Sequence, residues 1–459
     1  MPRVLIGLDV GTSGVKGVAV SHDGEVVATA GESYPLSTPR PGWAEQDPED
    51  WWRAAQSVLG RLPAGPVGFS GQMHGLVVLG ADGRVLRPAI LWNDVRTTAE
   101  CREIEERIGF ERLIHLTGNR ALEGFTAPKL LWLRNHEPET YAAIDRVLLP
   151  KDYVRLRLTG EWTIDAADAS GTVLFDVGHR CWSDEVCRAL EVPLGWLPPA
   201  CESTVVGGAG DQAAAALGVG VVESDRVSVV LGTSGVVFAP LAAYRPDPEG
   251  RVHVFCHALP ERWHAMGVML SAAGSFAWLR GVLDVAPGVL DDEAARWDPG
   301  TEGLLFAPYL AGERTPHADP DARGAFTGLS LRHDRGALAR ATMEGVAYGL
   351  RDSLELLRDL GARPAAGRVS GGGFRSDLWT RIVAAVLQLE LERTETEEGS
   401  AFGAALLAGI REGVFTSAEA AERCVRVRST VAPDPAWVAA YADGYDRFSR
   451  LYGALRPLA

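Results

Sequence analysis

The sequence predicts an α/β protein made of two duplicated domains that face one another across a central cleft. Three observations carry that prediction. The chain has 459 residues, enough for two or three domains at about 150 residues each. Apolar strand-like runs alternate with helical patterns, which points to an α/β protein rather than a bundle or sandwich. The five-residue motif Gly11-Thr12-Ser13-Gly14-Val15 recurs as Gly232-Thr233-Ser234-Gly235-Val236, each copy directly after an apolar run. A repeat in matching context reads as duplication. The junction is placed at Val222-Glu223-Ser224, which divides the chain into residues 1–222 and 223–459.

The elements follow in order. Val4 to Val10 reads as a buried strand, Gly11 to Gly14 as a turn, and Val15 to Val20 as the returning strand. A third strand, Glu25 to Ala30, follows the turn His22-Asp23-Gly24. Asp47-Pro48-Glu49-Asp50 starts a helix, with Asp47 as N-cap, Pro48 in the first turn and acids at the positive dipole end. Val67 to Phe69 and Leu76 to Leu79 are extended, and Thr97 to Ile108 is helical. In the second half, Val227 to Leu231 is the strand before the repeated turn. Arg368-Val369-Ser370, the turn Gly371-Gly372-Gly373 and a helix from Asp377 to Leu389 form another strand–turn–helix unit. The free N–H groups at that helix start suit phosphate or ribose oxygens. Stretches 245–250, 287–300 and 361–367 read as surface loops.

Composition narrows the function classes. Hydrophobic residues make up 46% and charged residues 23%, an ordinary globular balance. Forty-five basic against sixty acidic side chains leave a formal charge of −15, which argues against nucleic acid or an anionic membrane as partner. The longest apolar run, Val227 to Ala239, is too short for a membrane span and carries Ser228, Thr233 and Ser234. The start, Met1-Pro2-Arg3-Val4, has no signal-peptide architecture. Six cysteines without a CxxC pair indicate neither a disulfide framework nor a zinc knuckle. The expectation is a soluble, cytoplasmic protein.

Few residues bear chemistry. The only lysines are Lys16, Lys129 and Lys151, and none completes a GxxxxGK[ST] phosphate loop. Gly208-Ala209-Gly210-Asp211-Gln212-Ala213 matches GxGxxA, but an aspartate there would oppose a dinucleotide pyrophosphate. Asp211 has two even readings. It is a general base for a substrate hydroxyl, or it caps the helix-like Gln212-Ala213-Ala214. Asp9, between an apolar strand and a glycine turn, is either linked to magnesium or makes an Asx-turn. Lys16 is a phosphate contact or a surface lysine. His253, Cys256, His257 and His264 lack an acidic or further cysteine partner nearby and read as core, as do Trp51 and Trp52.

The ordered segments together resemble the FGGY family of carbohydrate kinases from Val4 to the C-terminus. They are Leu8-Asp9-Val10-Gly11-Thr12-Ser13-Gly14, Ser70-Gly71-Gln72-Met73-His74-Gly75, Ile90-Leu91-Trp92-Asn93-Asp94, Leu149-Pro150-Lys151-Asp152, Gly210-Asp211-Gln212, Leu231-Gly232-Thr233-Ser234-Gly235, Gly312-Glu313-Arg314-Thr315-Pro316-His317 and Gly371-Gly372-Gly373. GTSG or GGG alone is weak; the ordered set is specific. The resemblance implies two actin-like, ribonuclease-H-like domains closing over sugar and ATP. It implies transfer of the γ-phosphoryl of ATP to the 5-hydroxyl of D-xylulose, with SGQMHG and ILWND pointing to that sugar rather than glycerol or gluconate. Asp211 is then the general base. Met73, His74 and Gln212 contact the sugar, with Arg120 matching a sugar-contacting arginine in some relatives only. Asp9 holds Mg²⁺ at the phosphate end. Thr12, Ser13, Gly232 and Thr233 line the phosphates, and Gly372, Gly373 and Ser376 border the adenosine. A homodimer is the expected self-partner.

The chain departs from the family pattern in one place. Between Pro199 and Val205 it has only residues 200–204, where the family has a longer insert leading to the strand before the base. The expectation is a tolerated trimming, since loop length costs little by itself. The alternatives are a kinase for ribulose, xylitol or another polyol, or a catalytically impaired sugar-binding regulator on the same scaffold.

Overall fold

The computed structural model describes residues 4–395 and 399–458. Residues 1–3, part of the N-terminal reading, lie outside the described residues. The first sheet has five strands: β1 (Val4–Val10), β2 (Gly14–Ser21), β3 (Val26–Ser33), β4 (Val67–Gly71) and β5 (Gly208–Gly210), in the spatial order β5-β4-β1-β2-β3. β1 to β3 form an antiparallel meander, and β4 and β5 add in parallel on the other side of β1. Apart from Asp9, β1 is apolar because both faces are covered, which is why it shows no hydrophobic alternation.

The second sheet repeats that plan. Its strands are β6 (Arg226–Leu231), β7 (Gly235–Leu241), β8 (His253–Cys256), β9 (Trp263–Met269), β10 (Ala366–Ser370), β11 (Glu390–Thr394) and β12 (Val427–Val431), in the order β8-β9-β7-β6-β10-β11-β12. β6 again has antiparallel neighbours on one side and parallel ones on the other. The echoed motifs are the β1–β2 and β6–β7 turns, so the sequence repeat is a topological repeat. Two such sheets make this the actin-like, ribonuclease-H-like fold that the sequence predicted.

The helices tie the halves together. α1 (Pro48–Arg61) begins as expected, with Asp47 accepting from Glu49 N–H and Pro48 in the first turn. α2 (Thr126–His136), α3 (Asp211–Gly218), α4 (Ala273–Val282), α5 (Arg335–Asp359), α6 (Asp377–Leu387) and α7 (Gly399–Arg411) are the others that matter here. α7 lies late in the chain yet packs on the first sheet. A Cβ on Gly7 would come within 1.7 Å of Ala401 O, and one on Gly68 within 1.9 Å of Ala404 O. α7 also meets α3 backbone to backbone, with Gly403 against Ala214 O. The strands of the first sheet end by Gly210 and those of the second begin at Arg226, while α7, after both sheets' central strands in the chain, packs back on the first.

Some boundaries differ from expectation. Segment 287–300 contains a helix, Val289–Ala294, and segment 361–367 runs into β10. α6 stops at Leu387, because Gln388 turns left-handed (φ 56°) and ends the ladder. Among the described residues, no helix is long and apolar enough to cross a membrane.

Candidate active site

The C-terminal ends of the first sheet's parallel strands converge on one region. Asp9 stands near the end of β1, opposite Lys16 on β2 and beside Ser70 on β4. The following turn is held by side chains from elsewhere. Gln46 Nε2 donates to Thr12 O (2.7 Å), Gln72 Nε2 to Gly11 O (3.3 Å), and Trp92 Nε1 to Thr12 Oγ1 (2.9 Å). Ser13 is exposed at the tip. The turn's backbone is therefore preset rather than free to fold around a ligand.

β4 runs into Gln72, Met73 and His74. Met73 is buried against Gly210 and Gly171, where a Cβ would lie 2.8 Å from Met73 Cγ and 2.9 Å from Met73 Cε respectively. His74 has a left-handed backbone (φ 69°), uncommon for a residue with a side chain. Its Nδ1 lies 2.6 Å from Gly171 O. A carbonyl oxygen only accepts, so Nδ1 carries the proton and Nε2 is left as an acceptor. Burial drives the imidazole pKa down to about 3, and the Lys129 and Arg314 charges add to that against the Gly171 bond. The ring is a neutral acceptor near pH 7.

Asp211 follows the three-residue β5 and is the first residue of α3, with Gly210 in the N-cap position. Burial and the nearby Asp9 carboxylate raise its pKa to about 7, opposed by hydrogen bonds from the Gln212 backbone and side chain. Such a carboxyl can accept a proton at neutral pH, which an ordinary aspartate does poorly. The short link before it still forms a helical turn, Ser203–Val206, pinned by Arg180, whose guanidinium donates to both Glu202 oxygens at 2.7 and 2.6 Å. The trimmed segment therefore still feeds β5 into register with β4.

In the second sheet the echoed turn follows β6, the central strand. Gly232 N–H donates to Ser234 O, and the turn accepts from the start of α4 through Ala272 N and Ala273 N, both at 2.8 Å. Thr233 is exposed there. Gly371 (φ 98°) has no room for a Cβ, which would sit 2.6 Å from Leu231 O. A cavity of about 350 Å³ is lined by Ser370, Gly372, Arg375, Arg393 and Arg428 from the second half and Lys16 from the first. Four cationic side chains in a chain of charge −15 mark a site for an anion.

The structure gathers most predicted residues and separates others. Asp9 and Asp211 interact directly by charge, and Met73 packs on Gly210, next to Asp211. Gly372 lines the cationic cavity. Gly373 instead packs on Leu231, and Ser376 Oγ accepts from Trp379 N to cap α6. Arg120 pairs with Glu105 (3.7 Å) and lies over Phe110; among the described residues it makes no hydrogen bond or ion pair with His74, Gln212 or Asp211. His253 meets Asn119 Oδ1 at 2.9 Å, and His257 bridges Val221 O and Leu259 N. Sequence reading missed Arg375, Arg393, Arg428, Arg314 and Lys129. Arg375 stands two residues after the glycine turn and was findable; Arg393 and Arg428 reach the cavity only through strand pairing.

Residues 4–241 match the family described as "FGGY family of carbohydrate kinases, N-terminal domain", and residues 227–412 match its C-terminal domain. The chain belongs to the FGGY family of carbohydrate kinases. It is a phosphotransferase of that family, whose phosphoryl donor is ATP. It is 43% identical to the xylulose kinase of Escherichia coli (strain K12) over 99% of both chains, and 36% identical to that of Bacillus subtilis (strain 168) over 98% and 97%. The gluconokinase of the latter organism is 29% identical over 92% of this chain and 90% of its own. Among solved structures, a "xyloylose kinase" from Brucella ovis superposes with a TM-score of 0.95 at 39% identity over 100% of both chains. A xylulose kinase from Rhodospirillum rubrum does so at 0.92 and 32% over 99% of both. The family model boundaries thus overlap across β6 and β7.

Proposed function

We propose that this FGGY kinase transfers the γ-phosphoryl group of ATP to the 5-hydroxyl of D-xylulose. The observation that carries the reading is Asp211, a carboxyl raised to about 7, placed between Gln212 and Gly210, against which Met73 packs. The names of the similar proteins supply the sugar. Met73, His74 and Gln212 hold the ketose, His74 Nε2 accepting a hydrogen bond from a sugar hydroxyl. Asp211 takes the proton of the 5-hydroxyl as its oxygen bonds to the γ-phosphorus and the bond to the β-phosphate oxygen breaks, releasing ADP. The proton then passes to solvent. Phosphoryl transfer needs positioning and charge neutralisation more than covalent help. Thr12, Ser13, Gly232 and Thr233 line the phosphates, with the exposed Ser13 and Thr233 hydroxyls as donors. Gly372, Gly373, Ser376 and the cationic cavity belong to the nucleotide end, and Arg120 stays at the edge of the sugar side.

Asp9 suits a magnesium ion that keeps its waters. Among the described residues no group of three His, Cys, Asp or Glu could hold a metal alone, and Mg²⁺ bound to ATP asks for only one or two carboxylates. When bound, the ion supplies charge neutralisation at the β- and γ-phosphates. In this reading residues 1–222 carry sugar and base and residues 223–459 carry nucleotide, in a cytoplasmic enzyme that pairs as a homodimer. A coupled ADP-release assay over D-xylulose, ribulose, xylitol, glycerol and gluconate tests it. D-Xylulose should give the highest kcat/KM; comparable values for ribulose or glycerol overturn the sugar assignment. Binding of xylulose and ATP without ADP release would make the chain a regulator.

A further inference from the structure

Lys129 is fully buried in α2, and among the described residues it forms no salt bridge. The Asp94 charge favours the ammonium from beyond ion-pair distance and Arg96 opposes it, so its burial is expensive unless other groups hold it. What it touches instead is main chain: Nζ donates to His74 O at 2.9 Å and to Gly124 O at 2.6 Å. Thr126 Oγ1, one turn earlier on the same helix, donates to the same His74 carbonyl at 3.1 Å. Two donors from one helix therefore converge on the carbonyl of a residue held at φ 69°. A non-glycine residue in that region carries backbone strain, and it persists only where its surroundings over-determine it. On its other side His74 is fixed through Nδ1 to Gly171 O, and its ring centre lies 4.5 Å from that of Phe125, tilted by 49°.

We propose that Lys129 is a positioning residue for sugar recognition, clamping the His74 carbonyl so that the imidazole presents Nε2 to a substrate hydroxyl. Without the clamp the strained backbone relaxes, and the ring leaves its aim while the nucleotide side is untouched. The inference rests on His74 being a sugar contact, as proposed above. It differs from a merely structural role for Lys129, which would affect both substrates, or neither, whatever stands at position 74.

Steady-state kinetics on the full chain separates these cases, using Lys129→Met, Thr126→Val, His74→Ala and the double variant Lys129→Met/His74→Ala. Lys129→Met should raise KM for D-xylulose about tenfold and Thr126→Val about threefold, the range of one lost hydrogen bond. KM for ATP should stay within about twofold of the original. In the His74→Ala background, Lys129→Met should produce no further rise. An equal rise in that background, a matching rise in KM for ATP, or no rise at all overturns the inference. If His74→Ala leaves KM for the sugar unchanged, the underlying reading of His74 falls and this inference with it. If His74→Ala raises KM but Lys129→Met does not, only the clamp falls. Should Lys129→Met lose its native circular dichroism, Thr126→Val decides alone: a rise that disappears with His74→Ala supports the clamp, and an unchanged KM overturns it.

Discussion

Replacing Asp211 by Asn should inactivate the enzyme and stabilise it at the same time. The carboxyl rises from an ordinary 3.8 to about 7 because burial and Asp9 both resist its ionisation. At 1.36 kcal/mol per unit, a shift of about three units bounds the penalty at about 4 kcal/mol. Partial access to solvent trims that to on the order of 2–3 kcal/mol. The folded-state pKa lies above the unfolded one, so the cost of ionisation is absent below about pH 4, grows between about 4 and 7, and is complete above 7. Asparagine keeps the size and accepts from Gln212 without carrying charge. Asp211→Asn should therefore melt several degrees higher than the native chain at pH 8, at about 2–4 °C per kcal/mol for a domain of this size. The gap should close towards pH 4. In the ADP-release assay at pH 8 the same variant should lose about 10²–10⁴-fold in kcat, the contribution of a general base. KM for the sugar should move little, since His74, Met73 and Gln212 remain. Near-normal kcat would refute Asp211 as the base. A melting difference that is zero, or constant with pH, would refute the argument that its carboxyl is held neutral against Asp9.

Four further outcomes follow from the same geometry. The kcat/KM profile of the native enzyme should fall as pH drops through about 7, because Asp211 must be ionised to accept a proton; a flat profile from pH 5 to 8 contradicts this. Asp9→Ala should cost orders of magnitude in rate and change the magnesium dependence with the fold retained by circular dichroism, and an active variant with unaltered magnesium dependence removes Asp9 from the mechanism. Arg375→Gln should raise KM for ATP about tenfold with KM for the sugar unchanged, as expected for a lost charge-assisted contact in the cationic cavity; equal effects on both would place it elsewhere. Domain closure on sugar and a nucleotide analogue should shorten the radius of gyration in small-angle scattering, and superimposable curves would count against it.

Much of this protein was legible in one dimension because its signals are local. The echoed GTSG turns sit on hairpins whose apolar strands and glycine turns are contiguous in sequence, so duplication and fold class could be read directly. Asp211, Met73 and His74 stand within a few residues of strand ends, where short motifs predict exposure to a cleft. The rest depended on chain crossings that no local pattern encodes. α7 docks on Gly7 and Gly68 from far along the chain, through Ala401 and Ala404, because only glycine there lets two backbones touch. The alternatives for Asp211 diverged only once Gly210 took the N-cap and Asp9 came near enough to shift its proton. The places of Ser376 and Gly373 were not legible either: folding sets Ser376 Oγ to accept from Trp379 N and brings Gly373 against Leu231. Lys129 carried no motif at all: its function lies in reaching a carbonyl 55 positions away, and that reach exists only after folding.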